Sequence, residues 1–374
     1  MENIHDAAYS KQDMMKKLSI IDQYIIRKFL GTYLFTIFLS IAIIIIIDVN
    51  QKFDDFIKNS ASVHAIIFDY YLNFIPYFIN AFSSLFVFIA VIFFTSRLAD
   101  NSEIIAMLSS GLNFNRLVVP YMISASIIAI LTLILNSFII PPGNIKRIEF
   151  ENKYIKNRKT EYAPHIQLEV SPGVIAYFNS FNNFDHRGSG FSLDRFEGKE
   201  LVSRLTAQSI IWDSAYQWTI YNYIIRDFQG MKETITKGEK IDTVLTITPS
   251  DFLISFGDSE QLTTPALKVY IDRQKRRGIG NIQQFEIEYH RRFAIAFASF
   301  ILTIIGVSLS SRKIKGGMGM NIGLGFLLSF SYILFMQITS TFAVSGIVSP
   351  FLAVWIPNVT YIFIAAYLYK KAPR

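Results

Sequence analysis

A short segment between two long apolar stretches carries residues whose types and spacing suit docking to another protein. It begins at Arg97 and has one carboxylate, Glu103, beside apolar residues that include Ile104 and Met107. An apolar helix face with one charge that sets the register is a recurring way for a helix to occupy a groove on a partner. The alternative is a helix that lies on the membrane surface and only connects two spans.

Local signals predict that this segment is a helix of about ten residues, from about 100 to 111. Asp100 is a candidate N-cap, and Glu103 three residues later completes a capping-box pattern. Gly111 suits the left-handed conformation that ends many helices. The charge and the apolar residues would therefore be presented on one short, well-bounded element.

Three basic residues form a second candidate site, close to the ends of apolar stretches. Lys52 follows the first stretch, and Lys146 and Arg147 follow the third. Basic side chains at a membrane surface can pair with lipid phosphates or with another anionic ligand. The alternative is that they only anchor the spans at the interface.

Other chemistries find little support in the residues. Gly316, Gly317 and Gly319 lack the spacing of a phosphate loop, and no GxxxxGK[ST] motif occurs. ATP-driven work would therefore need a separate ATPase. The chain has no cysteine, and its five histidines are not spaced as metal ligands, so we expect no metal and no cofactor. A membrane-embedded enzyme that modifies lipids stays open as a function of another class, although no catalytic constellation is visible.

The composition indicates that lipid covers much of the chain. Apolar residues make up 51% of the 374 residues and charged residues only 17%, and a soluble surface needs more charge than this. The net charge is +7, but the basic residues stand mostly at the ends of apolar stretches. This placement is typical of membrane orientation signals and argues against nucleic-acid binding.

Six apolar stretches are long enough to cross the hydrocarbon core of a bilayer. We expect spans at about 29–47, 66–96, 117–140, 293–311, 321–343 and 351–369. Asp48 should end the first span, with a polar loop over 48–64, and Pro76 should bend the second. Pro141, Pro142 and Gly143 should end the third.

The residues between the third and fourth spans are predicted to form a β-rich domain. Alternating patterns at 173–178, 191–196 and 218–224 are separated by turn signals, which is typical of an antiparallel sandwich or barrel-like sheet. Residues 264–292 have a more helical pattern. The expected fold is an α-helical membrane protein with six transmembrane helices, split three and three by an inserted all-β domain. Its parts would be 1–143, 144–290 and 291–374.

The distribution of Lys and Arg predicts the orientation of the spans. The N-terminal tail, the 97–116 and 312–319 loops and the C-terminus would share one side, and all are basic or rich in Lys and Arg. The 48–64 loop is slightly acidic and the 344–350 loop has no charge. The positive-inside rule therefore places both termini in the cytoplasm and the middle domain outside.

Taken together, these features resemble the lipopolysaccharide-export permeases of the LptF/LptG family. The resemblance rests on Ile21–Ile25, at the start of the first span, and on the segment Ser102–Met107, which is followed by Gly111 and Arg116. The three-plus-three layout and the end of the chain, residues 312–358, are also similar. The resemblance covers almost the whole chain, and the start of the first span is slightly more similar to LptG than to LptF.

The resemblance implies a permease that pairs with a second LptF/LptG-type chain and binds two copies of a cytoplasmic, LptB-like ABC ATPase, which holds the ATP. The pair would extract lipopolysaccharide from the bacterial inner membrane through lateral openings. A jellyroll-like periplasmic domain would pass it to an LptC/LptA-like bridge. Glu103 would be the coupling carboxylate that pairs with a basic residue of the ATPase, and Met107 with its apolar neighbours would fill the groove. A permease for another lipid or a lipoprotein is the alternative among transporters.

The chain departs from the family at the outer end of the first span. Some members carry lysines there that contact the phosphates of the substrate. Asp48, Asp54 and Asp55 occupy those positions here, and Lys52 and Lys58 are near but shifted.

Overall fold

The computed structural model describes residues 19–155, 162–182, 185–230, 232–249, 258–276, 282–312 and 317–372. Outside these ranges lie six of the basic residues used to predict the orientation, namely Lys11, Lys16, Lys17, Lys313, Lys315 and Arg374. Gly316 of the rejected phosphate loop also lies outside them.

Six helices in the described parts of the chain are long and apolar enough to cross a membrane, which confirms the predicted number and their three-plus-three order. The α-helices are α1 Ile20–Lys58, α2 Val63–Ala65, α3 Leu72–Ala81, α4 Ser83–Asp100, α5 Glu103–Ser109, α6 Phe114–Ile134, α7 Ile140–Phe150, α8 Thr264–Arg276, α9 Gln283–Ser310, α10 Gly317–Val344 and α11 Pro350–Lys371. The described residues also include three π-helical segments, Ile66–Tyr71, Leu135–Ile139 and Glu151–Ile155, and a short 3₁₀ turn, Asp258–Glu260.

The first helix is longer than its predicted span. It continues past Asp48 to Lys58, and the predicted 48–64 loop shrinks to residues 59–62. Lys52 lies one turn after Asp48, and the two side chains form an ion pair of 2.7 Å. Because opposite charges at this spacing stabilise a helix, the charged residues extend α1 rather than end it.

The third span also continues where the sequence predicts a stop. α6, the π-helical segment Leu135–Ile139 and α7 follow one another without interruption, and Pro141 and Pro142 lie in the first turn of α7. A π-helical turn shifts the partners of the backbone carbonyls just before the prolines, so their missing N–H groups are accommodated.

The second span is interrupted, but not at its proline. Pro76 lies inside α3, and the helix breaks at Phe82, whose φ of −107° and ψ of 15° are not helical. A proline prevents the normal hydrogen bond of its own turn and loosens the helix around it. The interruption between α3 and α4 lies six residues after Pro76, so the structure places it beyond the turn that the proline affects.

The inserted domain is a six-stranded antiparallel sheet in which each strand pairs with the next along the chain. The strands are β1 Tyr162–Ser171, β2 Val174–Asn182, β3 Arg187–Glu197, β4 Glu200–Ser214, β5 Gln217–Gln229 and β6 Lys232–Val244. Gly173, Gly198 and Gly230 have positive φ at three hairpin turns, as the turn signals predicted. Phe178, Phe191 and Trp218 are fully or almost fully buried in its core, so the predicted all-β domain is confirmed.

The backbone divides into two compact units. The first comprises Met1–Lys52, Phe74–Ile139 and Tyr289–Arg374, and the second comprises Phe53–Asn73 and Ile140–Glu288. The first unit holds most of the six spans. The second unit holds the sheet.

Candidate coupling site

The candidate docking helix is α5, and it begins later than the sequence predicts. Asp100 is the last residue of α4 rather than a cap of α5, so the predicted capping box does not form. Ser102 has a φ of +63° and separates the two helices. This left-handed residue turns the chain sharply, which leaves Asp100 on the preceding helix. The predicted helix over about 100–111 is therefore the seven-residue helix Glu103–Ser109.

The end of α5 follows the sequence prediction. Gly111 has a φ of +93°, and its N–H donates to the carbonyl of Leu108 at 3.1 Å. The N–H of Leu112 donates to the carbonyl of Met107 at 3.3 Å. These two bonds form a Schellman motif, in which the left-handed glycine lets the last carbonyls find partners.

The apolar residues of α5 divide between the interior and the surface. Ile104 is 1% exposed and belongs to the core cluster, and Met107 and Leu108 pack against that cluster with part of their surface. Ile105 points outward and is 55% exposed. The apolar surface that the sequence assigned to Ile104 is therefore turned inward, and Ile105 and the open part of Met107 are the residues a partner would touch.

The carboxylate of Glu103 is half-buried and has partners within the chain. The hydroxyl of Tyr24 donates to Oε2 at 3.0 Å, and the amide of Asn101 donates to Oε1 at 3.2 Å. Arg97 is exposed on the last turn of α4, close enough to Tyr24 for its charge to act on the hydroxyl. Arg97, Tyr24 and Glu103 thus form one polar group beside α5.

A second polar contact fastens the start of α1 to the segment that follows α5. The Nη1 and Nη2 atoms of Arg116 donate to Oδ1 and Oδ2 of Asp22 at 2.8 and 2.6 Å. The same carboxylate accepts the N–H of Ser19, and the Ser19 hydroxyl accepts the N–H of Asp22, which is a capping box at the start of α1. Asp22 is 3% exposed, so a buried carboxylate is satisfied from both sides.

Sequence reasoning missed the Asp22 and Tyr24 contacts. Both residues lie in the stretch that resembled the family, but only the structure brings them to Glu103 and Arg116. The signal that could have pointed to Asp22 is the spacing Ser19-x-x-Asp22, a capping-box pattern directly before an apolar run.

The last helix also reaches this site. The hydroxyl of Tyr369, near the end of α11, donates to Oδ1 of Asn115 at 2.6 Å, and its ring lies 5.6 Å from the ring of Phe114. The ends of α1, α6 and α11 are thus tied to the residues that flank α5.

The three basic candidates differ in their availability. Lys52 pairs with Asp48, and its Nζ lies 5.6 Å from the ring centre of Phe74. Lys146 is exposed.

Arg147 is 8% exposed, and its guanidinium donates to Asn144 at 3.1 Å and to Glu151 at 2.8 Å. It also lies 3.8 Å from a carboxylate oxygen of Glu260. The structure therefore directs Arg147 at protein groups and leaves Lys146 as the accessible cation of the pair.

The fold and the site together define a class of protein. It is a membrane protein of six spans with an inserted β domain, and a short helix that carries a carboxylate stands between its second and third spans. No cluster of three or more His, Asp, Glu or Cys side chains suited to a metal ion occurs among the described residues.

The family model for the lipopolysaccharide export system permease LptF/LptG matches residues 23–371. The chain therefore belongs to the LptF/LptG family, a family of transporter membrane subunits. A search of curated proteins found no match.

Proposed function

We propose that this chain is the permease subunit of an ABC transporter that extracts lipopolysaccharide from the bacterial inner membrane and passes it toward the outer membrane. The observation that carries the proposal is the family match over residues 23–371. The exposed helix α5 supports it, because a permease driven by ATP must offer its ATPase a surface to push on.

In this proposal, α5 is the contact with a cytoplasmic, LptB-like ATPase that binds the ATP, and the permease itself needs no cofactor. Glu103 pairs with a basic residue of the ATPase, while Ile105 and Met107 supply the apolar contact. Ile104 holds the helix on the core, and Gly111 sets its end. Arg97 contributes charge beside Tyr24 and Glu103.

The proposed orientation places both termini and α5 in the cytoplasm. Residues 144–290 then form a periplasmic, jellyroll-like domain between the membrane parts 1–143 and 291–374. This domain would hand the lipid to an LptC/LptA-like bridge, and a second LptF/LptG-type permease would complete the membrane pair. Of the basic candidates, exposed Lys146 is the best placed to meet a lipid phosphate.

The coupling proposal is tested by pulling the tagged chain from its native membrane in mild detergent. The copurifying proteins and lipid are then identified by mass spectrometry. Glu103→Arg should remove the ATPase from the preparation, because the reversed charge repels the cation that the carboxylate would bind. Glu103→Gln keeps an oxygen for Tyr24 and should weaken retention of the ATPase less.

Glu239→Arg on strand β6 is the matched control, since it reverses an exposed carboxylate in the other compact unit. It should retain the ATPase. Retention of the ATPase by Glu103→Arg would refute the coupling role of this helix. A lipid or lipoprotein other than lipopolysaccharide in the native preparation would favour the alternative cargo.

The orientation is tested separately with single cysteines in this cysteine-free chain. Ser109→Cys on α5 and Glu239→Cys on β6 are both exposed positions. A membrane-impermeant thiol reagent should label only Glu239→Cys in spheroplasts. Labelling of Ser109→Cys from outside would overturn the proposed orientation.

A further inference from the structure

We propose that two contacts, Asp22 with Arg116 and Tyr24 with Glu103, form the linkage through which the docking helix α5 moves the first membrane span. This inference deepens the function proposed above and rests on it, because it assumes that the ATPase moves α5. Asp22 and Tyr24 would then be positioning residues of the transport cycle.

The two contacts hold the start of α1 against the segment 103–116 from both sides of α5. Tyr24 donates to the first residue of α5, and Arg116 reaches Asp22 from beyond its end. A bidentate arginine–carboxylate pair fixes direction as well as distance. The start of α1 therefore cannot rotate or slide past α5 without breaking one of the two contacts.

The apolar packing along the first half of α1 supplies less of that restraint. Ile25, Phe29, Tyr33 and Ile37 are buried there at a spacing of four residues, which forms one narrow stripe, and Phe56 is buried near the end of the helix. On the other faces, large side chains such as Leu34, Phe35 and Phe38 are exposed. Apolar contact is non-directional, so a single stripe permits rocking and sliding. The polar contacts at the first turn therefore add a directional restraint that this stripe lacks.

α1 is also built to carry a displacement along its length. It is one helix of 39 residues without a proline, and at 1.5 Å per residue it is roughly 58 Å long. A helix without a proline or a π-helical turn lacks the usual causes of a sharp kink. A movement imposed at Asp22 and Tyr24 therefore carries into the membrane.

Glu103 connects this linkage to the ATPase. Its Oε2 atom accepts the Tyr24 hydroxyl, and the carboxylate has further lone pairs, so a cation of the ATPase can bind the same group while Tyr24 stays in contact. A movement of the docked α5 then acts on Tyr24 and so on α1.

The test uses the whole transporter, copurified with its ATPase and partner permease and reconstituted in vesicles that contain lipopolysaccharide. ATP hydrolysis and lipopolysaccharide release are measured in the same sample. Arg116→Gln and Asp22→Asn should leave the ATPase bound and hydrolysing. Lipopolysaccharide released per ATP should fall at least about five-fold, the lower end of usual coupling effects. Arg116→Lys keeps the charge but loses the bidentate geometry, so lipopolysaccharide released per ATP should fall in this variant as well.

The Arg204–Asp194 pair is a matched control in the β domain. Its two hydrogen bonds are both 2.7 Å long, and the Arg204 side chain is 45% exposed, against 43% for Arg116. Arg204→Gln should therefore leave the ratio of release to hydrolysis unchanged. An equal fall in this control would show a general loss of stability and would overturn the linkage.

A direct measurement removes the dependence on activity. Spin labels on Ser109→Cys and Leu34→Cys report the distance between α5 and α1. This distance should stay constant between nucleotide states in the native chain and should vary in Arg116→Gln. The linkage is refuted if Asp22→Asn, Arg116→Gln and Arg116→Lys all leave the ratio of lipopolysaccharide release to ATP hydrolysis unchanged. It is also refuted if the label distance in Arg116→Gln stays constant between nucleotide states.

The two proposals fail in different ways. Retention of the ATPase by Glu103→Arg refutes the coupling role of α5, whatever Arg116→Gln does. Loss of the ATPase in Glu103→Arg together with a normal ratio in Arg116→Gln refutes only the linkage.

Discussion

The ion pair between Asp22 and Arg116 should contribute measurably to the stability of the folded chain. Asp22 is 3% exposed, whereas the Arg116 side chain is 43% exposed. A hydrogen bond to a charged group contributes about 1.5–3 kcal/mol, and an exposed ion pair contributes about 0–1 kcal/mol. With one partner buried and the other half-exposed, we expect a coupling energy of about 1–2 kcal/mol between the two side chains.

The two single variants should differ in cost. Arg116→Gln leaves a buried carboxylate with only its Ser19 partners, whereas Asp22→Asn leaves an arginine that can turn to water. Asparagine at position 22 also keeps an oxygen for the Ser19 N–H. Arg116→Gln should therefore destabilise the chain more than Asp22→Asn, because an unpaired buried charge is the larger penalty.

The assay is a double-mutant cycle on the detergent-solubilised chain. The free energy of unfolding is measured by titration with SDS, followed by far-UV circular dichroism, for the native chain, the two single variants and the double variant. A coupling energy below about 0.5 kcal/mol would mean that the two sites are independent. That result, or a larger cost for Asp22→Asn, would refute the reasoning from burial.

Three further predictions concern the end of α5, the membrane helices and the sheet. Gly111→Ala should cost about 1–2 kcal/mol in thermal or SDS unfolding, because an added Cβ meets nothing within 4 Å and only the φ of +93° opposes it. Buried Asn358 accepts a hydrogen bond from Tyr332 at 2.9 Å and donates one to a carbonyl of α9 at 3.0 Å. Asn358→Leu loses both bonds and should lower the free energy of unfolding by about 1 kcal/mol in the same assay, and Tyr332→Phe, which loses one, should lower it by about half as much. Trp218→Ala should destabilise the β domain by about 3–5 kcal/mol in urea, since it removes a fully buried ring and its hydrogen bond to Ile247. An unaltered midpoint in any one of these would contradict the burial or backbone argument behind it.

The part of the fold that the sequence predicts rests on local signals. A run of about 20 apolar residues is long enough to cross a bilayer wherever it occurs, so the six spans follow from hydropathy alone. Alternation with glycine turns predicted the strands, and Gly111 predicted the end of α5, because a positive φ is a property of one residue. The predicted helix ends were wrong where a residue that usually ends a helix has neighbours that allow the helix to continue. Pro141 follows a π-helical segment, and Asp48 has Lys52 one turn later.

The candidate site shows the same division. The sequence by itself determined that a short helix with Glu103 lies between two spans, since the glycine that ends the helix and the apolar length of the spans are local properties, whereas the predicted capping box at its start did not form. The tertiary structure alone decided that Ile104 faces the core and that Ile105 faces outward. It alone also brought Asp22 to Arg116, across 94 positions of sequence. Such contacts depend on how α1 packs against the other helices, and no local pattern encodes the partner of a buried charge.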